Sequence, residues 1–175
     1  VTTFNRLYQA GFSPNLVERP RLEKHLQKAL NDVVKMRGLI TPASKETHIQ
    51  KAIFEAIQTV SRNLVCMLEL QINAYWASRQ GHFVMLNAQT LRETQRMTQQ
   101  TLLTIAHALY EGNPQPVRAN TEKLNEIVVE LRQLIKEHQD DNLSETPIHG
   151  YVWLTIELAR QLELLSHLIC RALRK

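Results

Sequence analysis

Two Glu–His pairs pose the chemical question first: Glu145 stands four residues before His149, and Glu163 four before His167. A helical di-iron carboxylate site needs Glu and His three apart on helix faces turned toward each other. The spacing here is four, and Glu163 and His167 fall on the polar side of their segment, so a solvated ion pair is expected. There is no Cys-x-x-Cys and no His-Glu-x-x-His, and none of the seven histidines has another four residues away. No metal ligands are expected on that basis. The five glycines are isolated, which leaves no phosphate-cradling loop. No Ser, Cys or His sits in a nucleophile motif, and His107, within TLLTIAHALY, reads as a histidine at the edge of a core. No catalytic residue, cofactor-binding residue or enzymatic activity is expected.

Threonine is the unusual feature. Thr90, Thr94, Thr98, Thr101 and Thr104 run down one segment, several of them close to its apolar arc. The plainer reading is that each hydroxyl bonds back to the carbonyl four residues earlier. The functional reading makes Thr94, Thr98 and Thr101 a polar strip lining a cavity for a small organic acid. Arg171, Arg174 and Lys175 likewise carry two readings: a helix C-terminus complementing its own dipole, or a basic flank beside a membrane on its cytoplasmic side. The net charge of +4 is scattered, with no basic face interleaved with aromatics, so nucleic acid is not an expected partner. Cys66 and Cys170 both lie in apolar helical patterns and are expected to be buried, inert thiols of a reducing compartment, with a Cys66–Cys170 bridge as the alternative if both face the core.

These side chains must be positioned by helices. The stretch from Ile49 to Trp76 holds no Pro or Gly, and Ile53, Ile57, Val60, Leu64, Leu68 and Ile72 recur at helical spacing. Phe54, Val65, Met67 and Trp76 widen that face beyond what one neighbour could cover. The segment from Ile148 to Arg174 has the same wide arc, through Val152, Leu154, Leu158, Leu162, Leu165, Leu168 and Ile169. These two are the expected core helices, and their width also allows a self-association face. A short helix over Val1 to Ala10 is expected, then one from Pro20 to Leu39 with Leu22, Leu26, Leu30, Val33 and Val34 inward. TPASKETH reads as a loop whose Thr47 and Gln50 have capping-box spacing for the next helix. Further helices are expected over about 84–110, with Leu91, Met97, Leu102, Ile105 and Leu109 inward, and from Pro114 to about His138, with Leu124, Val128, Leu131 and Ile135 inward. Gly112-Asn113-Pro114 separates them. The expected fold is all-α: an up-down bundle of four to five long helices with a short N-terminal helix, sequential neighbours antiparallel, in a single domain over residues 1–175.

A chain of 175 residues can bury about 70% of its unfolded surface, enough for one stable domain. Glu69 and Glu157 interrupt the longest apolar stretches, so no segment reads as a span of about 20 residues. No secretory signal is visible. The chain begins at Val1, which raises the expectation that it is a piece of something longer.

The segments AIQTVSRNLVCMLELQINAYWASR, HFVMLNAQTLRETQ, TLLTIAHALYEGNPQP and HGYVWLTIELARQLELLSHLICRALRK resemble the soluble segment of YhfK-like inner-membrane proteins, in the fusaric-acid-resistance / aromatic-acid-exporter superfamily. The resemblance covers nearly the whole chain and brings no site residues with it. It implies a non-enzymatic helical domain on the cytoplasmic side of a bacterial inner membrane, supporting assembly or gating of a transporter. The implied partners are the transmembrane segments of its own parent chain and, in an oligomer, further copies of itself. It also favours the juxtamembrane reading of Arg171, Arg174 and Lys175. The alternative is a stand-alone bundle that binds a small molecule or a partner helix.

Overall fold

A computed structural model describes residues 2–11, 19–77, 88–137 and 146–174, and every statement about structure below concerns these. They form α1 (Thr2–Gly11), α2 (Arg19–Lys35), a 3-10 turn (Met36–Leu39), α3 (Ile40–Thr47), α4 (Lys51–Ala77), α5 (Ala88–Glu111), α6 (Gln115–Glu137) and α7 (Thr146–Ala172), with no strand among them. The expected all-α bundle, with its short leading helix, is what the chain builds.

α4 and α7 are its two central members and pack against each other more extensively than any other pair. They run antiparallel: Gln71, late in α4, donates through Nε2 to the hydroxyl of Thr155, early in α7, at 2.7 Å. α6 lies along α7, α5 lies along both α6 and α7, and α2 lies along α4. α1 fits against α2, α4 and α5. Leu64, Leu68 and Ile72 of α4 thus share one core with Leu158, Leu162 and Leu165 of α7, Leu102 and Ile105 of α5, and Leu124 and Leu131 of α6. Leu68 and Leu162 have 0% of their surface exposed.

The breaks follow local chemistry. Gly112 takes φ 69°, a left-handed conformation that glycine adopts without a Cβ penalty, and its N–H donates to the Ala108 carbonyl at 2.8 Å. Asn113 then accepts the Gln115 N–H on its side-chain oxygen at 3.0 Å, starting α6 as its cap. TPASKETH is not a loop: Pro42 sits in the first turn of α3, where its missing N–H costs nothing, rather than terminating α2. Thr47 accordingly ends α3 instead of opening α4. Its hydroxyl donates to the Ala43 carbonyl at 2.7 Å, and the Ile49 N–H reaches the same oxygen at 3.4 Å. His48 makes the corner at φ 58°, and the Ser44 hydroxyl fastens it by donating to the Ile49 carbonyl at 2.7 Å.

Several inward assignments are corrected. Val34 and Leu109 are exposed, each one helical step beyond the strip that its neighbours cover, and Cys66 is exposed on α4. Cys170 is buried, its thiol 3.8 Å from the Pro114 carbonyl, and both cysteines are free. The side chains of Phe4, Trp76, Thr90, Leu91 and Ile135 lie outside those described.

Because Leu162 meets the common core with no surface left to solvent, Leu162→Ala should destabilise the chain by about 2–5 kcal/mol. The exposed Val34→Ala should change stability by less than about 0.5 kcal/mol. Urea unfolding followed by circular dichroism measures both, and equal midpoints for the two variants would contradict this packing.

Candidate functional site

A buried polar seam crosses the bundle. Thr94, Thr98 and Thr101 of α5, the three residues singled out as a cavity lining, are all buried. Thr101 is fully committed: its hydroxyl donates to the Met97 carbonyl at 2.8 Å and accepts from Asn120 Nδ2 of α6 at 2.7 Å. Thr98 hydrogen-bonds the phenol of Tyr8 on α1. Burial holds that phenol well above its ordinary pKa, and the bond to Thr98 offsets part of the rise. Thr104, Ser61, Thr121 and Ser166 bond back to the carbonyls of Gln100, Ile57, Val117 and Leu162 at 2.7 to 2.8 Å, the pattern helices tolerate.

The seam joins helices through polar contacts: α1 to α5 at Tyr8, α5 to α6 at Asn120, and α4 to α7 at Gln71. Three amide oxygens in it, on Asn5, Gln71 and Asn120, are buried without a hydrogen-bond partner. The buried polar residues include no carboxylate, imidazole, amine or guanidinium among those described. The seam can therefore fix helix register and accept hydrogen bonds, while the usual acid–base groups are not in it. A cavity of about 220 Å³ is lined by Ala29, Val33, Ser61, Leu64, Leu102 and Leu165, with none of the three threonines on its wall.

The second cluster is at one end of the bundle, where α4 and α6 begin and α5 and α7 finish. Arg171 and Arg174 line two grooves there. One, of about 460 Å³, runs between α6 and α7 and is shared with Arg118, Glu122, Asn125 and His167. The other is walled by His48, Ile49, Gln50, Glu111 and Gly112. With its amide turned to donate, Asn125 reaches the two carboxylate oxygens of Glu163 at 2.9 and 3.1 Å. Glu163 also lies 3.7 Å from His167 Nε2 one turn along α7, with the imidazole mostly in solvent, so it is the Asn125–Glu163 contact that joins α6 to α7. His107 is also exposed, its Nδ1 3.8 Å from Glu111. Lys175 lies outside the described residues. Among the described residues no group of three His, Cys, Asp or Glu is placed to hold a metal ion.

Sequence reasoning singled out Arg171 and Arg174 but not Arg118 or Asn120. Asn120 could have been found, because it interrupts the apolar stripe through Val117, Leu124 and Val128. Arg118 becomes visible only when α6 is laid antiparallel to α7, which brings the first turn of one beside the last turn of the other.

Compared with known proteins, the chain is 72% identical over 175 residues to the inner membrane protein YeeA of Escherichia coli (strain K12). The match takes in 100% of this chain and 50% of that protein, so the chain spans about half the length of the curated relative. No family model and no solved structure matches it. None of the described helices is long and apolar enough to cross a membrane.

Thr101→Val leaves the Asn120 amide N–H buried without its acceptor and should cost about 1–3 kcal/mol. Adding Asn120→Leu should cost less than the sum of the two single changes, with a coupling of about 0.5–3 kcal/mol. Urea midpoints of the four members of the cycle measure this, and strict additivity would show that the bond contributes nothing.

Proposed function

We propose that this chain is a helical domain of an inner-membrane protein, held on the cytoplasmic side of the bilayer, where it supports assembly or gating of the membrane-embedded part. The observation that carries the reading is the 72% identity, across all 175 residues, with half of a protein named for the inner membrane. On this proposal the bilayer-crossing segments belong to the remainder of such a protein. The resemblance of the quoted segments to the aromatic-acid-exporter superfamily makes aromatic carboxylates the substrate class to test. Two features support a scaffold role over a reactive one: the seam is built of neutral amides and hydroxyls, and the Glu–His contacts among the described residues, His107–Glu111 and His167–Glu163, lie at the surface, Glu145 and the His149 side chain lying outside those described. Arg171 and Arg174, at one end of the bundle, then form the basic flank facing the membrane.

Cys66 provides a native probe, since its thiol is exposed while that of Cys170 is buried. With the whole-length protein in bacterial spheroplasts, a membrane-impermeant maleimide should leave Cys66 unlabelled until the membrane is permeabilised, with Cys66→Ala as the blank. Labelling in intact spheroplasts would overturn the cytoplasmic placement. In the same cells, expression should speed efflux of a preloaded aromatic carboxylate, and an unchanged rate would remove the exporter assignment.

A further inference from the structure

We propose that the end of the bundle carrying Arg118, Arg171 and Arg174 is a docking surface for anionic phospholipid headgroups. The inference rests on the membrane reading above and adds to it the lipid class and residues of the α5–α6 corner.

Three observations carry it. The first is unpaired charge. Lys51 on α4 and Arg160 farther back on α7 have carboxylates at 3.6 and 3.0 Å, whereas Arg118, Arg171 and Arg174 have no ion-pair partner among the described residues. The acidic groups on the same groove walls are Glu111 and Glu122, and Glu111 is already 3.8 Å from His107. The second is placement. α4 and α6 begin at this end while α5 and α7 finish there, so the partial charges of the helix ends offset and the guanidinium groups set the local charge. The third is Tyr110, 91% exposed at the end of α5, next to Leu109 and one residue from the groove wall at Glu111. An aromatic body with a polar tip suits the depth of lipid headgroups, where tyrosine is enriched.

The arrangement fits a surface better than a single small anion. The arginines line two open grooves across the end of the bundle, and no buried cation closes a cage around one point. Guanidinium forks pair well with phosphate oxygens, and each basic side chain near an anionic leaflet strengthens attraction about fivefold.

The test is co-sedimentation of the 175-residue chain with vesicles of phosphatidylglycerol and phosphatidylcholine, against vesicles of phosphatidylcholine alone. Binding should need the anionic lipid and weaken as salt screens the charges. Arg118→Ala, Arg171→Ala and Arg174→Ala together should lower partitioning roughly a hundredfold, at about fivefold for each arginine. Tyr110→Ser should weaken binding without changing its salt dependence. A control with Arg21→Ala, Arg132→Ala and Lys136→Ala removes the same charge from the other end of the bundle and should bind like the parent. Should the first triple lose its helical circular dichroism, the corresponding Arg→Lys triple, which keeps the charge, should bind like the parent.

Failure of the parent chain to sediment with anionic vesicles would overturn the proposal, as would equal losses from the two Ala triples or loss of binding in a folded Lys triple. Full displacement by inorganic phosphate at matched ionic strength would make this a free-anion site instead. The spheroplast labelling decides the placement of the domain independently of all these outcomes.

Discussion

The antiparallel contact between α4 and α7 governs this bundle. Each helix carries an apolar arc too wide for one neighbour, so pairing them leaves apolar surface over on both sides. That surplus dictates where the other helices go: α2 covers the outer side of α4, α6 covers the outer side of α7, and α5 lies along α6 and α7. α1 lies against α2, α4 and α5, with Leu7 and Tyr8 turned into the common core. A ten-residue helix that would be marginal in water by itself is stable here because Tyr8 keeps only 1% of its surface exposed.

An apolar core alone would leave helix register loosely specified, since leucines tolerate sliding by a turn. Gln71 with Thr155 and Asn120 with Thr101 remove that freedom, because a shift of one turn would strand a buried amide without its partner. The same register brings the first turn of α6 beside the last turn of α7 and so gathers Arg118, Arg171 and Arg174 at one end. Core hydrogen bonds and surface charge are thus linked through helix alignment.

The long helices were legible because their apolar periodicity is strong and their stops are chemically plain, as at Gly112-Asn113-Pro114. The stretch 40–47 was not, because Thr41-Pro42 suits the end of one helix and the first turn of the next equally well, and only the packing against α4 decides. Cys66 and Leu109 sit at the margins of wide arcs, where periodicity cannot say how far a neighbour reaches. Thr98 and Thr101 could be named from their spacing and Asn120 from its place in an apolar stripe, but that Tyr8 and Asn120 on other helices are their partners follows from tertiary arrangement alone. The basic end was half legible for the same reason: Arg171 and Arg174 are close in sequence, at the end of α7 and just past it, while Arg118 joins them across an interface.

If α4 and α7 are the frame on which the remaining helices are hung, they should be the last to open. Native-state hydrogen exchange read at individual amides tests this most directly. The amides of Leu68, Gln71, Leu158 and Leu162 should exchange only through global unfolding, with α1 and α2 opening at lower free energy. Slower exchange in α5 or α6 than in α4 and α7 would contradict the account.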